Sequence, residues 1–532
     1  MADIGIGSSE ISEWYRNKTI FVTGGTGFMG KVLVEKLLRA CNIRRIYLLV
    51  RPKKGVEIRQ RLEDMLNLKM FDNVRTEQPE MLQKIVPVRG DITMEGLGLT
   101  DEDEARIAEE TEVIFHAAAT INFQEPLRVA VNMNMLGTKR VVALAHKMSN
   151  IKALVHVSTA YGNCHLTEIY EELYPAPIDP ARLIQLTEWF DDEMLEAISP
   201  KLLAPRPNTY TYTKALAEHL LVNDSGTIPY SIVRPSIVCG AWREPMPGWV
   251  DNLFAFTGML VGMSKGVLRS LYTKPGIALD FIPVDIAINL MITSAWNVDV
   301  QKFRTNGDQI YCCSTSSQRP LTSELVAEYL IHINRKYPLS SALWYPDGSA
   351  KYSKFPHQLH MFFVNIIPAY VIDGIFRVLG RKPFAVKLCN KMLKAIDALE
   401  YFMIRNWTFH NTNVRSLYDA LSPVDKDVFN FDISQMDWKD YFETYQLGIK
   451  QYILDEPADS LPEAKKSMNR LYWLHCIVRL IMMYGAWCIV SSDTACVLYS
   501  SFFHGASHIL SCAPVFVAAE DSGLLENPIQ DL

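Results

Sequence analysis

Tyr210-Thr-Tyr-Thr-Lys214 sets a phenol and an ammonium four residues apart. On a helix, side chains at i and i+4 share a face, so both groups can reach one point. Such a pair suits proton transfer to a carbonyl oxygen. A tyrosine of pKa near 10 is a poor proton shuttle at neutral pH, and moving it to about 7 requires roughly 4 kcal/mol of differential stabilisation. A neighbouring ammonium favours the phenolate and can also hydrogen-bond a cofactor ribose. The spacing alone is common, so its weight depends on what surrounds it. Upstream, Val157-Ser-Thr-Ala-Tyr-Gly162 closes an apolar run. A hydroxyl at the carboxyl end of a strand can hold a substrate carbonyl while Tyr210 protonates it. Ser158 and Thr159 are both candidates. Adjacent strand residues face opposite ways, so one of the two should enter the site and the other tie down the turn.

A cofactor-binding turn precedes them. Thr23-Gly24-Gly25-Thr26-Gly27-Phe28-Met29-Gly30 follows the apolar run Thr19–Val22 and leads into the amphipathic stretch Lys31–Ala40. This is strand, tight turn, helix, with glycines in a G-x-x-G-x-x-G spacing. In such a turn the main chain approaches a pyrophosphate closely and the helix N-terminus offers free N–H groups to it. After the second apolar run comes Arg51-Pro52-Lys53-Lys54. An NAD enzyme places an acid here for the ribose 2′-hydroxyl, whereas a cation accommodates the 2′-phosphate of NADP. With Arg51 and Lys53 in that place, NADPH is the expected cofactor. Asp91-Ile92 suits the adenine, and Ala117-Ala118 leave room where the dinucleotide must pass. Asn134 and Thr138 could order that strand end. Arg234-Pro235-Ser236-Ile237, after the sixth apolar run, falls where a nicotinamide carboxamide would be held. No metal-ligand cluster, G-x-S-x-G, H-E-x-x-H or Walker lysine occurs.

The elements that must position these residues follow a β-α rhythm from residue 18 to about 235. Strands are expected at Thr19–Thr23, Ile46–Val50, Ile85–Arg89, Val113–Ala117, Ala153–Ser158 and Tyr230–Val233. Helices are expected at Lys31–Ala40, Glu57–Asn67, Glu102–Glu110, Val129–Met148 and Thr213–Val222. Unalternating Val/Ile/Leu runs suit parallel strands buried on both faces. The expected fold class is α/β, a doubly wound parallel Rossmann-type sheet with a helical C-terminal domain and an apolar tail. The expected domains are residues 15–350, 355–455 and 471–519. The long insertion Asn163–Asn208 is expected to cover a substrate.

The net charge of −6 offers no basic field for nucleic acid. The ten cysteines are scattered without a C-x-x-C, which suits reduced thiols on the cytosolic side. Met1–Trp14 is polar and acidic, without the features of a secretory signal. Met361–Ile372 is too short to span a bilayer and reads as a core or interfacial helix. The tail from Leu471 differs. Leu480–Ser492 is apolar, Asp493 interrupts, and Thr494–Ala519 carries no charged side chain. A hairpin, a single span after Asp493 and a helix buried against the body all remain open. A membrane-associated protein with its catalytic part facing the cytosol, at the endoplasmic reticulum or the peroxisome, is the expected setting.

These motifs together resemble the extended short-chain dehydrogenase/reductases and, within them, the eukaryotic fatty acyl-CoA reductases, close to the insect members. The carriers are Thr23–Gly30, Leu48-Leu-Val-Arg-Pro52, Val88-Arg-Gly-Asp91, His116-Ala-Ala-Ala119, Val155–Tyr161, Tyr210 with Lys214, Val233-Arg-Pro-Ser236 and Asp280-Phe-Ile-Pro-Val-Asp285. Residues 355–455 are similar to the family's C-terminal "sterile" domain through Trp407-Thr-Phe-His410 and Trp438-Lys-Asp-Tyr441. The resemblance implies that a long-chain acyl-CoA is reduced to a primary alcohol with two NADPH. It also implies that the insertion and the aromatic-rich C-terminal region set chain length. A steroid or sugar-nucleotide enzyme on the same fold, and a lipid-binding scaffold with an inactive reductase fold, are the alternatives.

Overall fold

Apolar residues fill consecutive strand positions because both faces of the sheet are covered. In β1 (Thr19–Thr23), Ile20 and Val22 enter one core while Phe21 enters another on the opposite face. β2 (Arg45–Val50) repeats this, with Ile46, Leu48 and Val50 on one side and Tyr47 and Leu49 on the other. The computed structural model describes residues 8–52, 55–301 and 309–491. β3 (Ile85–Arg89), β4 (Val113–His116), β5 (Ala153–Val157), β6 (Tyr230–Pro235) and β7 (Ile310–Cys313) complete a seven-stranded sheet. Every pairing in it is parallel and the spatial order is 7-6-5-4-1-2-3. The order reverses between β1 and β4, and a crevice for a ligand opens at the carboxyl ends of strands at such a switch point. The doubly wound expectation holds. β7 was not anticipated, because Ile310-Tyr-Cys-Cys313 is too short an apolar run to stand out.

The helices that matter to the site are α1 (Phe28–Ala40), α2 (Ile58–Leu66), α3 (Asp101–Glu110), α4 (Gly137–Ala145) and α5 (Thr209–Asp224). Farther along come α6 (Ala255–Ser264), α7 (Val284–Val300) and α8 (Ser323–Lys336). A continuous helix, α9 (Lys354–Val378), then precedes α10 (Ala385–Met403). α11 (Leu461–Ser491) follows.

α5 begins at Thr209, four residues before the expected start. Asn208 caps it, its side-chain oxygen accepting from Thr211 N at 2.9 Å, so Tyr210 stands in the first turn. The insertion Asn163–Asn208 folds into helices Pro180–Trp189 and Asp192–Leu203. Their apolar residues Leu183 and Leu195 share a core with Tyr212 and Leu216 of α5.

The chain up to Met468 forms one compact unit and the chain from Asn469 a second. Val414, Leu417, Phe429 and Phe431 lie in the same apolar cluster as the strand residues of the sheet. Within the second unit, Trp473, Leu480, Ile481, Tyr484 and Trp487 of α11 are exposed. Asp493 and Thr494–Ala519 lie outside the described residues. Met361–Ile372 is no core helix. It belongs to α9, whose 25 residues and mean hydropathy of 1.6 make it long and apolar enough to cross a membrane, and little of it is buried.

One buried ion pair joins α5 to the sheet. Arg234 Nη2 of β6 meets Glu218 Oε2 of α5 at 2.6 Å, with 1% and 2% of the two side chains exposed. Removing one partner of such a pair leaves a bare buried charge and costs about 3–5 kcal/mol. Glu218→Ala should therefore lose that much in a chemical-denaturation midpoint analysis. A loss below about 1 kcal/mol would mean that the Tyr170 and Glu172 carbonyls, which also receive the Arg234 guanidinium, carry the charge alone.

Candidate active site

The glycine turn after β1 is shaped by close approach. Gly24 has φ +74°, and a Cβ there would lie 2.6 Å from Ala118 N. A Cβ on Gly30 would lie 2.2 Å from Gly24 O, so only glycine lets α1 start against the turn. Gly27 is the N-cap of α1 and contributes no side-chain cap, which leaves the first N–H groups of the helix open to an anion. Phe28 stacks on Trp249 at 5.4 Å between centroids, and Met29 packs against the core. Their backbone, not their side chains, faces the turn's open end.

Thr23 serves as a brace. Its Oγ1 lies 2.7 Å from His116 Nδ1 and accepts from Ala118 N at 3.3 Å, and His116 Nε2 lies 3.2 Å from Thr138 Oγ1. Burial pulls the His116 imidazole down to about 3, with the Lys214 charge adding to it, so the brace is neutral. Asn134 accepts from Thr120 N at 3.0 Å and donates to Thr213 Oγ1 at 2.9 Å. It thereby ties the loop after β4 to α5.

At the end of β2, Arg51 is exposed, with Nε 4.0 Å from Asp91 Oδ2. Lys53 lies outside the described residues. Arg61 of α2 was missed from sequence. Its guanidinium donates to the Arg51 carbonyl and lies 3.4 Å from Thr26 Oγ1 of the glycine turn. Nothing in a charged helical stretch distinguishes it beforehand. Asp91 Oδ1 accepts from Thr93 N and Oγ1 at 2.9 and 2.8 Å. The Ile92 side chain is buried in the core beneath Gly137 and does not reach the crevice.

The end of β5 separates the two hydroxyls. Ser158 Oγ donates to Glu218 Oε1 at 2.5 Å, joining the Arg234–Glu218 pair. Thr159 lies beside the Tyr210 phenol, close enough to pull its pKa down, while its Oγ1 accepts from Tyr161 N at 3.3 Å. The structure thus brings Thr159 to Tyr210 and turns Ser158 away. Lys214 Nζ donates to the Val157 carbonyl at 2.5 Å. The expected depression of the Tyr210 pKa is absent. Burial pushes the phenol up to about 12, and only the Thr159 hydroxyl pulls the other way. Burial also brings the Lys214 ammonium down to about 8 against the attraction of Glu218. Tyr210 is therefore a proton-holding acid at neutral pH.

Past the end of β6, Ser236 Oγ is buried without a hydrogen-bond partner among the described residues, an atom that a bound polar group would satisfy. Pro235 beside it is buried in the strand. Arg234, spent on Glu218, does not face the crevice. The open helix terminus, the cradle at Gly24 and the orphaned Ser236 hydroxyl all fit a dinucleotide.

Phe123 was also missed, for want of any periodic pattern in its loop. Its ring stacks on Tyr210 at 5.6 Å and meets Phe402 of α10 at 5.5 Å. Phe402 and Tyr161 border a narrow apolar cavity enclosing about 1010 Å³ of empty volume, part of it open to solvent. Met259 of α6, Leu330 of α8 and Met403 of α10 also line it, and no residue of the insertion does.

This fold and crevice define a nicotinamide-dependent oxidoreductase of the extended short-chain dehydrogenase/reductase type. The male sterility protein NAD-binding model matches residues 22–291 and the sterile-domain model of male sterility proteins matches 364–456. The chain is 38% identical over 515 residues to fatty acyl-CoA reductase 1 of Xenopus laevis, covering 93% of this chain and 99% of that one. It is 39% identical over 480 residues to fatty acyl-CoA reductase 2 of Mus musculus, covering 90% and 93%. The protein belongs to the fatty acyl-CoA reductase family. Among solved structures, the reductase domain of a nonribosomal peptide synthetase from Mycobacterium tuberculosis shares the fold at a TM-score of 0.55 and 17% identity, covering 82% of this chain and 92% of that one. The terminal reductase domain of the myxalamid pathway shares it at 0.54 and 20%, covering 82% and 91%.

Lys214 is cationic below about pH 8 and neutral above it. Whatever that charge contributes is present at neutral pH and lost as pH rises through about 8. The kcat/KM profile, which reports the free enzyme, should fall above that value. A profile level up to about pH 10 would remove the Lys214 charge from the catalytic step.

Proposed function

We propose that this chain reduces a long-chain fatty acyl-CoA to the primary alcohol through a bound aldehyde, with NADPH as the donor. The observation that carries this reading is that Thr159 stands beside Tyr210 and that Phe123 links the Tyr210 ring to Phe402 at the border of an apolar cavity, in a chain of this family. The thioester carbon lies two two-electron steps above the alcohol. When bound, NADPH supplies a hydride to that carbon at each step. In the first, the Thr159 and Tyr210 hydroxyls hold the carbonyl oxygen as negative charge develops on it. Collapse expels the CoA thiolate and leaves the aldehyde in place. In the second, Tyr210 gives its proton to the alkoxide oxygen, a role that a phenol with its pKa pushed up to about 12 can fill. Lys214 would meet the ribose, and Ser158 keeps the strand end seated on Glu218. The acyl chain would occupy the apolar cavity, where each buried CH₂ contributes about 0.8 kcal/mol. Chain length would then be set by α6, α8 and α10, not by the insertion.

The apolar tail and α9 support a membrane-associated enzyme. The buried free cysteines, Cys312 and Cys313 among them, support a catalytic unit on the cytosolic side, and endoplasmic reticulum and peroxisome both suit this.

Membranes bearing the protein, given NADPH and a ladder of acyl-CoAs, should yield primary alcohols by mass spectrometry. Steroid or sugar-nucleotide turnover without thioester reduction would overturn the reading. Thr159→Val and Tyr210→Phe should each lower alcohol formation by about 10²-fold or more, while Ser158→Ala keeps turnover and loses stability. The reverse ranking of the two hydroxyl variants would move the oxyanion contact to Ser158.

Cofactor preference gives a separate test. Arg51→Ala should weaken NADPH by roughly ten- to a hundredfold, as expected for a charged hydrogen bond of about 1.5–3 kcal/mol, and leave NADH nearly unchanged. Arg61→Ala, beside the shared pyrophosphate, should weaken both. Equal losses for Arg51→Ala would assign that cation to the pyrophosphate or to the fold.

A further inference from the structure

We infer that the helical pair α9–α10 lies in the plane of a membrane surface rich in anionic phospholipid, giving the catalytic unit a lipid contact of its own besides the tail. The inference rests on the reading that the enzyme works at a membrane and names where the catalytic unit meets it.

α9 has two unlike faces. His357, Met361, Asn365, Ala369 and Asp373, spaced by four, form its buried stripe. His357 Nδ1 lies 2.8 Å from Ser270 Oγ, and Asn365 donates to the Val267 carbonyl. Asp373 accepts from the backbone N–H groups of Phe384 and Ala385 at 2.8 Å and of Val386 at 3.0 Å, at the start of α10. The helix is therefore pinned along its length and cannot turn its other face inward. That other face is apolar and open: Tyr370 is 64% and Val378 87% exposed, with Phe362, Phe363, Val371 and Leu379 beside them. A helix held against the catalytic body along one side offers only its other, apolar side to lipid, which suits it to lie in the interface.

Charge identifies the occupant. The whole chain carries −6, yet residues 374–396 hold Arg377, Arg381, Lys382, Lys387, Lys391 and Lys394 with no Asp or Glu. All six cations are exposed. Exposed apolar side chains interleaved with exposed positive charge match an anionic lipid surface, to which basic groups are drawn and into which the apolar ones insert. A protein partner of similar apolar character would give no reason for so one-sided a charge.

The test uses the full chain in vesicles of phosphatidylcholine with phosphatidylserine. Benzoylphenylalanine is placed at Tyr370, at Val378 or, as a control on the insertion, at Trp189, which is 82% exposed. On irradiation, phospholipid adducts should form at Tyr370 and Val378 and not at Trp189. The triple variant Arg381→Glu, Lys382→Glu, Lys387→Glu should lose roughly tenfold or more of the adduct, with the protein still held in the vesicle fraction. Adducts absent from both positions while the protein remains vesicle-bound overturn the inference and leave the membrane reading standing. Chain-to-chain adducts at Tyr370 or Val378 overturn it in favour of a second copy. Lipid adducts indifferent to phosphatidylserine and to the triple variant overturn the anionic component. A full chain that binds no vesicle overturns both readings.

Discussion

Three consecutive residues at the carboxyl end of β5 engage one helix, and each does so differently. The Val157 carbonyl receives Lys214, the Ser158 hydroxyl reaches Glu218, and Thr159 meets Tyr210. Tyr210, Lys214 and Glu218 stand at successive four-residue steps along α5, so they share a face. The alternation of a strand then decides which hydroxyl can serve chemistry. Glu218 is itself held by Arg234 of the neighbouring strand. The Tyr210 phenol is thus placed by a helix clamped to two strands, not by a loop. Glu218 and Ser158 hold α5 on the strand end, which leaves Thr159 and Tyr210 as the pair proposed to meet the reacting oxygen.

The cofactor side is braced by the same means. Thr23, His116 and Thr138 form a short polar chain across β1, β4 and α4, and Asn134 carries the tie onward to Thr213 on α5. The helix bearing Tyr210 and the loop beside the glycine turn therefore hold a fixed relation without help from a ligand. His116 and Lys214 are both buried, and both are pushed toward their neutral forms. Keeping the imidazole uncharged spares the site a second cation where one ammonium already lacks water.

Much of this could be read from sequence because its causes are local. The glycines at 24 and 30 answer to steric contacts within the turn, and the strand runs are apolar because both faces are covered. The spacing of Tyr210 and Lys214 is set by the helix itself. What escaped depends on contacts between distant segments. Phe123 and Arg61 carry no periodic or motif signal, and each acquires its place only when α10 or the glycine turn is brought beside it. The pKa of Tyr210 was misjudged for a related reason. The i,i+4 spacing puts Lys214 on the right face, but its ammonium is drawn to the Val157 carbonyl, and burial then dominates the phenol. Asp91 and Ile92 were read as a pair, although adjacent residues part company at a strand end. The carboxylate stays at the crevice while the apolar side chain joins the core.

α10 connects the two ends of the problem that a long-chain substrate poses. Its first turn, capped by Asp373, stands among the exposed apolar and basic residues. Its last residues, Leu399, Phe402 and Met403, line the cavity beside Tyr161. Its nineteen residues of helix span about 28 Å from one end to the other. An acyl chain buried in lipid would lose its hydrophobic stabilisation if it crossed open water on the way to the phenol. An apolar lining at the cavity end, where Leu399, Phe402 and Met403 stand, would lower that penalty over the last part of the way. The CoA moiety, polar and charged, has the opposite need and must stay in water. Phe123 links the Tyr210 ring to Phe402 at the cavity border, so a carbonyl held at the phenol would put its acyl chain on the apolar side.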